Sequence, residues 1–231
     1  MDEDRDQRSA PSHVRLGHRS ICDRPPLPSL TPRRAIASGS LVFWVLTFTF
    51  FVCGVSSFGL MPHFVTLCGD YGIDPITSTG LLAMIGVFDF IGTIGSGWLS
   101  DRYDNRWLLF WYYGLRGVSL VWLPFSGFSL IGLSFFAILY GLDFIATVPP
   151  SVRLTAQTFG REQAPLVFGW IFAAHQLGAG MMAFGAGVSR DALSSYLPAF
   201  FVAGVLCVVA ALSLGLLRGH SGAVILATRT G

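Results

Sequence analysis

The sequence contains no lysine: all 15 basic residues are arginine, and glutamate occurs only as Glu3 and Glu162. Charged residues make up 12% of the 231, whereas an ordinary soluble domain carries roughly a quarter. With 52% hydrophobic residues and a mean hydropathy of +0.61, water is excluded as the main solvent. A formal net charge of +2 is too small to point to nucleic acid. The four cysteines, Cys22, Cys53, Cys68 and Cys207, form no CxxC pair and no metal-ligand spacing, so neither a metal site nor a cofactor is expected. No HExxH motif or histidine box occurs. Ser96 lies between Gly95 and Gly97, but Ile94 stands where the G-x-S-G pattern of an intramembrane serine protease needs glycine. No catalytic residues are therefore assigned, and the chain is not read as an enzyme.

What is present is a series of apolar runs. About 20 apolar residues at 1.5 Å per residue cross a hydrocarbon layer of about 30 Å. Six spans satisfy that rule, at about 41 to 68, 77 to 100, 107 to 125, 128 to 148, 164 to 188 and 196 to 217. Short polar or glycine-containing turns such as Gly69 to Pro75, Asp101 to Arg106 and Ser126-Gly127 separate them. The run from Leu41 to Cys68 is too long for the core of a secretory signal. The fold class is all-α integral membrane, with the lipid bilayer as the first partner. Residues 1–38, rich in Arg, Pro and Ser, read as a disordered tail, 39–217 as a six-helix transmembrane domain and 218–231 as a short second tail. Among the 27 glycines, those from Gly178 to Gly187 make a small-residue face suited to close helix packing.

Orientation follows from arginine. Seven precede residue 35, and Arg102, Arg106, Arg153, Arg161, Arg218 and Arg229 fall on the same side, against Arg190 alone on the other. Cytoplasmic flanks hold the excess of basic residues, so both termini are expected in the cytoplasm of a multi-pass protein of the cell (inner or plasma) membrane. An even number of spans likewise puts both termini on one side.

Ionisable groups inside spans are functional candidates, because each costs several kcal/mol in hydrocarbon. Asp89 is twelve residues before Asp101, about 18 Å into its span, Arg116 about 15 Å past Arg106, and His175 about 18 Å past Gln163. Asp143, six residues before Pro149, is expected only about 9 Å from the cytoplasmic edge. Asp89, His175, Gln176, Arg116 and Asp143 are thus the candidates for a substrate or proton pathway. For Arg116 an ion pair with Asp89 or Asp143 that merely neutralises both is the competing reading, and for His175 a hydrogen bond between helices. His63, following Pro62, marks a possible kink.

The loop Gly97-Trp98-Leu99-Ser100-Asp101-Arg102-Tyr103-Asp104-Asn105-Arg106 resembles the signature loop of the major facilitator superfamily, G-x-L-a-D-R-x-G-R-R/K. Gly97, Leu99, Asp101, Arg102 and Arg106 match, while Asp104 and Asn105 depart from the pattern. The resemblance implies a cytoplasmic gate loop, with Asp101 docked against the fifth helix near Ala164 and Arg102 and Arg106 ringing the mouth. Thr147-Val148-Pro149-Pro150, Phe159-Gly160 and His175 to Ala179 resemble the C-terminal half of the branch containing monocarboxylate and oxalate/formate carriers. In that branch an Arg one turn after the Asp of the eighth helix takes the anion; here Asp89 is followed by Thr93. The resemblance puts Arg116 on a helix peripheral to the cavity.

Six helices resemble one half of a twelve-helix fold, in which residues 1–38 would correspond to a remnant of the central cytoplasmic loop. The resemblance implies secondary active transport of a small organic solute, an organic anion by class, with proton coupling through Asp89 left open. The partner would be an N-terminal six-helix half or a second copy of the chain. The alternative is a truncated, non-transporting membrane protein or subunit.

Overall fold

The computed structural model describes residues 40–217. The expected tails, with Cys22, Arg218 and Arg229, lie outside the described residues. The described part is helical, in the order α1 (Leu41–Ser56), α2 (Met61–Asp70), α3 (Pro75–Arg102), α4 (Asn105–Trp122), α5 (Leu130–Asp143), α6 (Val148–Phe159), α7 (Ala164–Leu193) and α8 (Leu197–Leu216). A short 3-10 turn, Leu123–Phe125, follows α4.

Five stretches are long and apolar enough to cross a membrane: Leu41–Asp70, Pro75–Arg102, Leu130–Phe159, Ala164–Leu193 and Leu197–Gly215. The 18-residue α4 stands outside that set, since it carries Asn105, Arg106 and Arg116 among its aromatics. The most extensive packing joins α1 to α7, α3 to α5 and α4 to α8, with α8 also touching α1 and α4 touching α5 and α6. The α4 and α8 pair thus backs the other two.

Two of the spans are interrupted. Residues 57–60 separate α1 from α2, and 144–147 separate α5 from α6. Proline accounts for both places. Pro62 stands at the start of α2, and Pro149 and Pro150 at the start of α6, where a missing N–H costs least. The fourth span therefore does not end at residue 148, as its apolar run suggests, but continues past the prolines to Phe159. Asp143 is consequently not near the end of its span: it lies thirteen residues after Leu130 and sixteen before Phe159, in the middle.

Helix starts on the polar turns follow ordinary capping. Asp74 accepts from the amides of Ile76 and Thr77, each at 3.0 Å, and Asp104 from that of Arg106 at 3.0 Å. Ser129 accepts from Gly132 at 3.2 Å.

Candidate functional site at the interrupted spans

An interrupted helix leaves backbone groups that hydrocarbon cannot satisfy. At the break between α5 and α6, four such groups are met by side chains from neighbouring helices. Pro150 has no N–H for the carbonyl of Ala146, and the Ser96 hydroxyl of α3 donates to it instead. The amide of Ile145 donates to Asp89 Oδ1 at 2.9 Å. The carbonyls of Asp143 and Phe144 accept from Arg116 Nη2, the latter at 2.9 Å. Val148 closes the turn by donating to the carbonyl of Ile145 at 2.9 Å.

Arg116 is wholly buried and pairs with Asp143, Nε to Oδ2 at 2.9 Å. Its Nη1 reaches Cys53 Sγ at 3.2 Å and Ser56 Oγ at 3.4 Å on α1. A guanidinium has five N–H donors in a fixed fork. With Nε on Asp143, Nη1 on Cys53 and Ser56, and Nη2 on two carbonyls, all five are spent inside the bundle. Cys53 Sγ in turn lies 3.4 Å from the Thr147 hydroxyl, and the Tyr140 hydroxyl donates to the carbonyl of Ser56. The two breaks are thereby tied to each other through α4. Of the two ion pairs open to Arg116, the structure forms the one with Asp143.

Asp89 sits in the middle of α3 and is half-buried. Besides Ile145, its Oδ1 accepts from the Thr93 hydroxyl at 3.4 Å. No arginine within 4.0 Å pairs with it among the described residues. His175 on α7 is buried, with its ring between Phe50 (5.6 Å), Phe58 (5.6 Å) and Phe172 (5.3 Å, stacked). Its Nδ1 is 3.2 Å from Gln176 Oε1, and Gln176 itself is exposed. Phe58, in the first break, is 50% exposed and lies 5.4 Å from Phe144, in the second. Asp89, His175 and Gln176 thus flank the two breaks, while Arg116 and Asp143 lie inside the bundle. An apolar cavity of about 400 Å³ between α1, α7 and α8, lined by Phe51, Val55, Met182 and Ala199 among others, involves none of these residues.

At the loop between α3 and α4, Asp101 does not dock on the start of α7. It pairs with Arg153 of α6, whose Nη1 also donates to the carbonyl of Ser100 at 3.2 Å. A full guanidinium charge outcompetes the half-charge of a helix N-terminus for a carboxylate stranded at the end of α3. Arg102 lies over the Trp98 ring at 3.9 Å, and Arg106 donates to the carbonyl of Leu217 at 3.3 Å. Gly97 has open space where a Cβ would stand. Asn105, a departure from the loop pattern, is buried and accepts from Ser100.

Sequence reasoning missed Cys53, Ser56, Ser96, Tyr140 and Thr147 as parts of this arrangement. Small hydroxyl residues in a span carry little signal singly. The one available cue was their coincidence with Pro62 and Pro149-Pro150, which must leave carbonyls to be satisfied.

The family model of the Major Facilitator Superfamily matches residues 13–224. The chain belongs to that superfamily. It is 30% identical over 145 residues to monocarboxylate transporter 13 of Rattus norvegicus, covering 62% of this chain and 33% of that protein. It is 26% identical over 163 residues to the uncharacterised MFS-type transporter YcxA of Bacillus subtilis (strain 168), covering 68% and 40%. A third relative, monocarboxylate transporter 12-B of Danio rerio, is 25% identical over 186 residues, covering 68% and 38%. The chain thus spans between about a third and two fifths of the length of the curated relatives it matches. Membership makes this a multi-pass, all-α membrane protein of a transporter family and sets aside the membrane-enzyme reading.

Proposed function

We propose that the chain forms one six-helix half of a secondary transporter for a small organic solute, working with a second half. The observation that carries this reading is the meeting of two interrupted spans in mid-helix. Transporters of several folds place solute and ion sites where discontinuous helices leave backbone and polar side chains in the middle of the bilayer. Here Phe58 and Phe144 stand at the two interruptions, with Asp89, His175 and Gln176 beside them. Asp89 is the group suited to proton coupling, as a half-buried carboxylate without an arginine partner. Arg116 and Asp143 belong to the scaffold. A carboxylate on the solute, the class expected from the branch, would find its cation on the other half, because Arg116 has no donor to spare.

The arginine distribution supports a cell-membrane protein with residues 1–38 and 218–231 as cytoplasmic tails, and the Asp101 loop as a gate on that side. The test is uptake by vesicles reconstituted with the chain, with and without a co-expressed N-terminal six-helix half. Uptake that requires both halves is expected, and it should fall in Asp89→Asn. The absence of uptake of any candidate solute in either preparation would favour a non-transporting subunit instead.

A further inference from the structure

This inference rests on the transport reading and names the chemistry of the solute at the interrupted spans. Among the described residues, Arg116 and Asp89 stand in the middle of α4 and α3, and Asp143 in the middle of the span Leu130–Phe159. Arg116 and Asp143 neutralise each other, and the five donors of the guanidinium are occupied within the bundle. Of the other described arginines, Arg102, Arg106 and Arg190 lie near helix ends, Arg161 lies in a turn, and Arg153, in the middle of α6, is paired with Asp101. An anion reaching the face at Phe58 and Phe144 therefore meets no arginine with a donor to spare, and the His175 ring beside Phe58 is buried with its Nδ1 on Gln176.

A cation meets the opposite. Asp89 Oδ1 takes the amide of Ile145 and the hydroxyl of Thr93, whereas Oδ2 has no protein donor among the described residues. Ile145 follows Phe144, whose ring is 5.4 Å from the half-exposed ring of Phe58. Phe172, 43% exposed, stacks on His175 beside the exposed amide of Gln176. Asp89 is thus held on the residue after Phe144, at breaks that carry aromatic rings, whose quadrupole attracts a positive charge within about 6 Å of the ring centre.

We propose that this half binds the ammonium group of an organic amine, with Asp89 Oδ2 as counter-charge and the faces of Phe58 and Phe144 as its bed. The proton and the ammonium group then compete for one carboxylate oxygen, faced by Thr93 and the Ile145 amide, with the neutralised Arg116 and Asp143 pair behind. Any carboxylate on the same solute is matched by the second half.

Binding to the purified full chain in detergent tests this with three benzyl probes: benzyltrimethylammonium, phenylacetate and benzyl alcohol. Titration calorimetry should show the cation binding about tenfold or more tightly than the other two, in line with a desolvated cation-π contact backed by a carboxylate. Asp89→Asn should weaken the cation about tenfold and leave benzyl alcohol unchanged, while Phe58→Leu should weaken it several-fold. Both variants are to be matched to the parent by circular dichroism, and Asp89→Glu should restore part of the affinity. Phenylacetate binding as tightly as the cation, no measurable binding of the cation, or indifference to Asp89→Asn would each overturn the proposal. Cation binding without uptake of any solute in the two-half vesicles would instead overturn the transport reading alone. Uptake of anions that is insensitive to Asp89→Asn would overturn this proposal and leave transport standing.

Discussion

The Tyr140 hydroxyl donates to the backbone carbonyl of Ser56, so a side chain of the fourth span serves the interruption of the first. The ring itself is held independently, stacked 5.0 Å from Phe136. Tyr140→Phe therefore removes the hydrogen bond with little change in packing and leaves a buried carbonyl without a partner. The expected cost is about 1–3 kcal/mol, the desolvation penalty of an orphaned buried acceptor. Reversible unfolding in mixed micelles measures it, and a loss below a few tenths of a kcal/mol would mean that another donor replaces the hydroxyl.

Arg116 and Asp143 make a stronger case, because both are buried and each is the other's counter-charge. Removing one partner leaves an uncompensated charge in the bundle, at an expected cost of about 3–5 kcal/mol for Arg116→Met or Asp143→Leu. The double variant Arg116→Met with Asp143→Leu should recover part of that loss, since two apolar side chains need no charge partner. The carbonyls of Asp143 and Phe144 would still lack their donor, so recovery stays incomplete. A double variant no more stable than either single one would show that the carbonyl contacts, rather than the charge, carry the effect.

How much of this could be read beforehand differs between spans and site. Span positions follow from hydropathy alone, and five of the six runs match stretches able to cross a membrane. In the sequence Pro149-Pro150 reads as the terminator of the fourth span, whereas prolines at the start of α6 are compatible with a helix that has already broken at 144–147. That reading moves Asp143 from the middle of the span to its edge. Asp89, Arg116 and His175 were legible as costly groups in hydrocarbon. Which of them shared a face was not, because helical depth says nothing of rotation until packing partners are known. The Arg153 partner of Asp101 was illegible for the same reason: the two are 52 residues apart and meet only when α6 lies against α3.

Asp74 carries a pH dependence outside the spans. Its carboxylate caps α3, and hydrogen bonds from Thr77 first, then Ile76, hold its pKa below the ordinary value of 3.8. A depressed pKa in the folded state means that the cap contributes stability in full above the unfolded value, and that this contribution fades as pH falls through the folded one. The melting temperature of Asp74→Ala should therefore lie below that of the parent at pH 6, with the gap closing only below about pH 3.9, the unfolded value. A gap that is constant down to pH 2 would show that the carboxylate charge plays no part.

Two glycines distinguish internal packing from open surface. A Cβ on Gly54 of α1 would run into the carbonyl of His175 on α7, whereas one on Gly86 of α3 meets nothing within 4 Å. Gly54→Ala forces the two most extensively packed helices apart and should cost about 1–3 kcal/mol. Gly86→Ala should stabilise by about 0.5–1 kcal/mol, the helix preference of alanine over glycine. Thermal unfolding of the two variants side by side reads the contrast, and equal destabilisation would mean that the face with Gly86 is covered by another helix in the assembled protein.

The far end of the first span is held by contacts to α7 and to Tyr196, just before α8. Arg190 of α7 pairs with Asp70 at the end of α2 and lies 5.0 Å over the Tyr196 ring. His63 donates from Nε2 to the carbonyl of Ala183 at 2.9 Å and packs on the same Tyr196 ring at 5.1 Å. Because α2 is already separated from α1 by the break at 57–60, these contacts to α7 and the start of α8 hold it beside the packing of α2 on α3. Exposed ion pairs of this kind contribute only about 0.2–1 kcal/mol to overall stability. Arg190→Gln should thus leave the global unfolding midpoint nearly unchanged while raising amide hydrogen exchange in 61–70 relative to 41–56. If exchange rises equally in both segments, α1 and α2 open as one unit, and the interruption does not serve as a hinge.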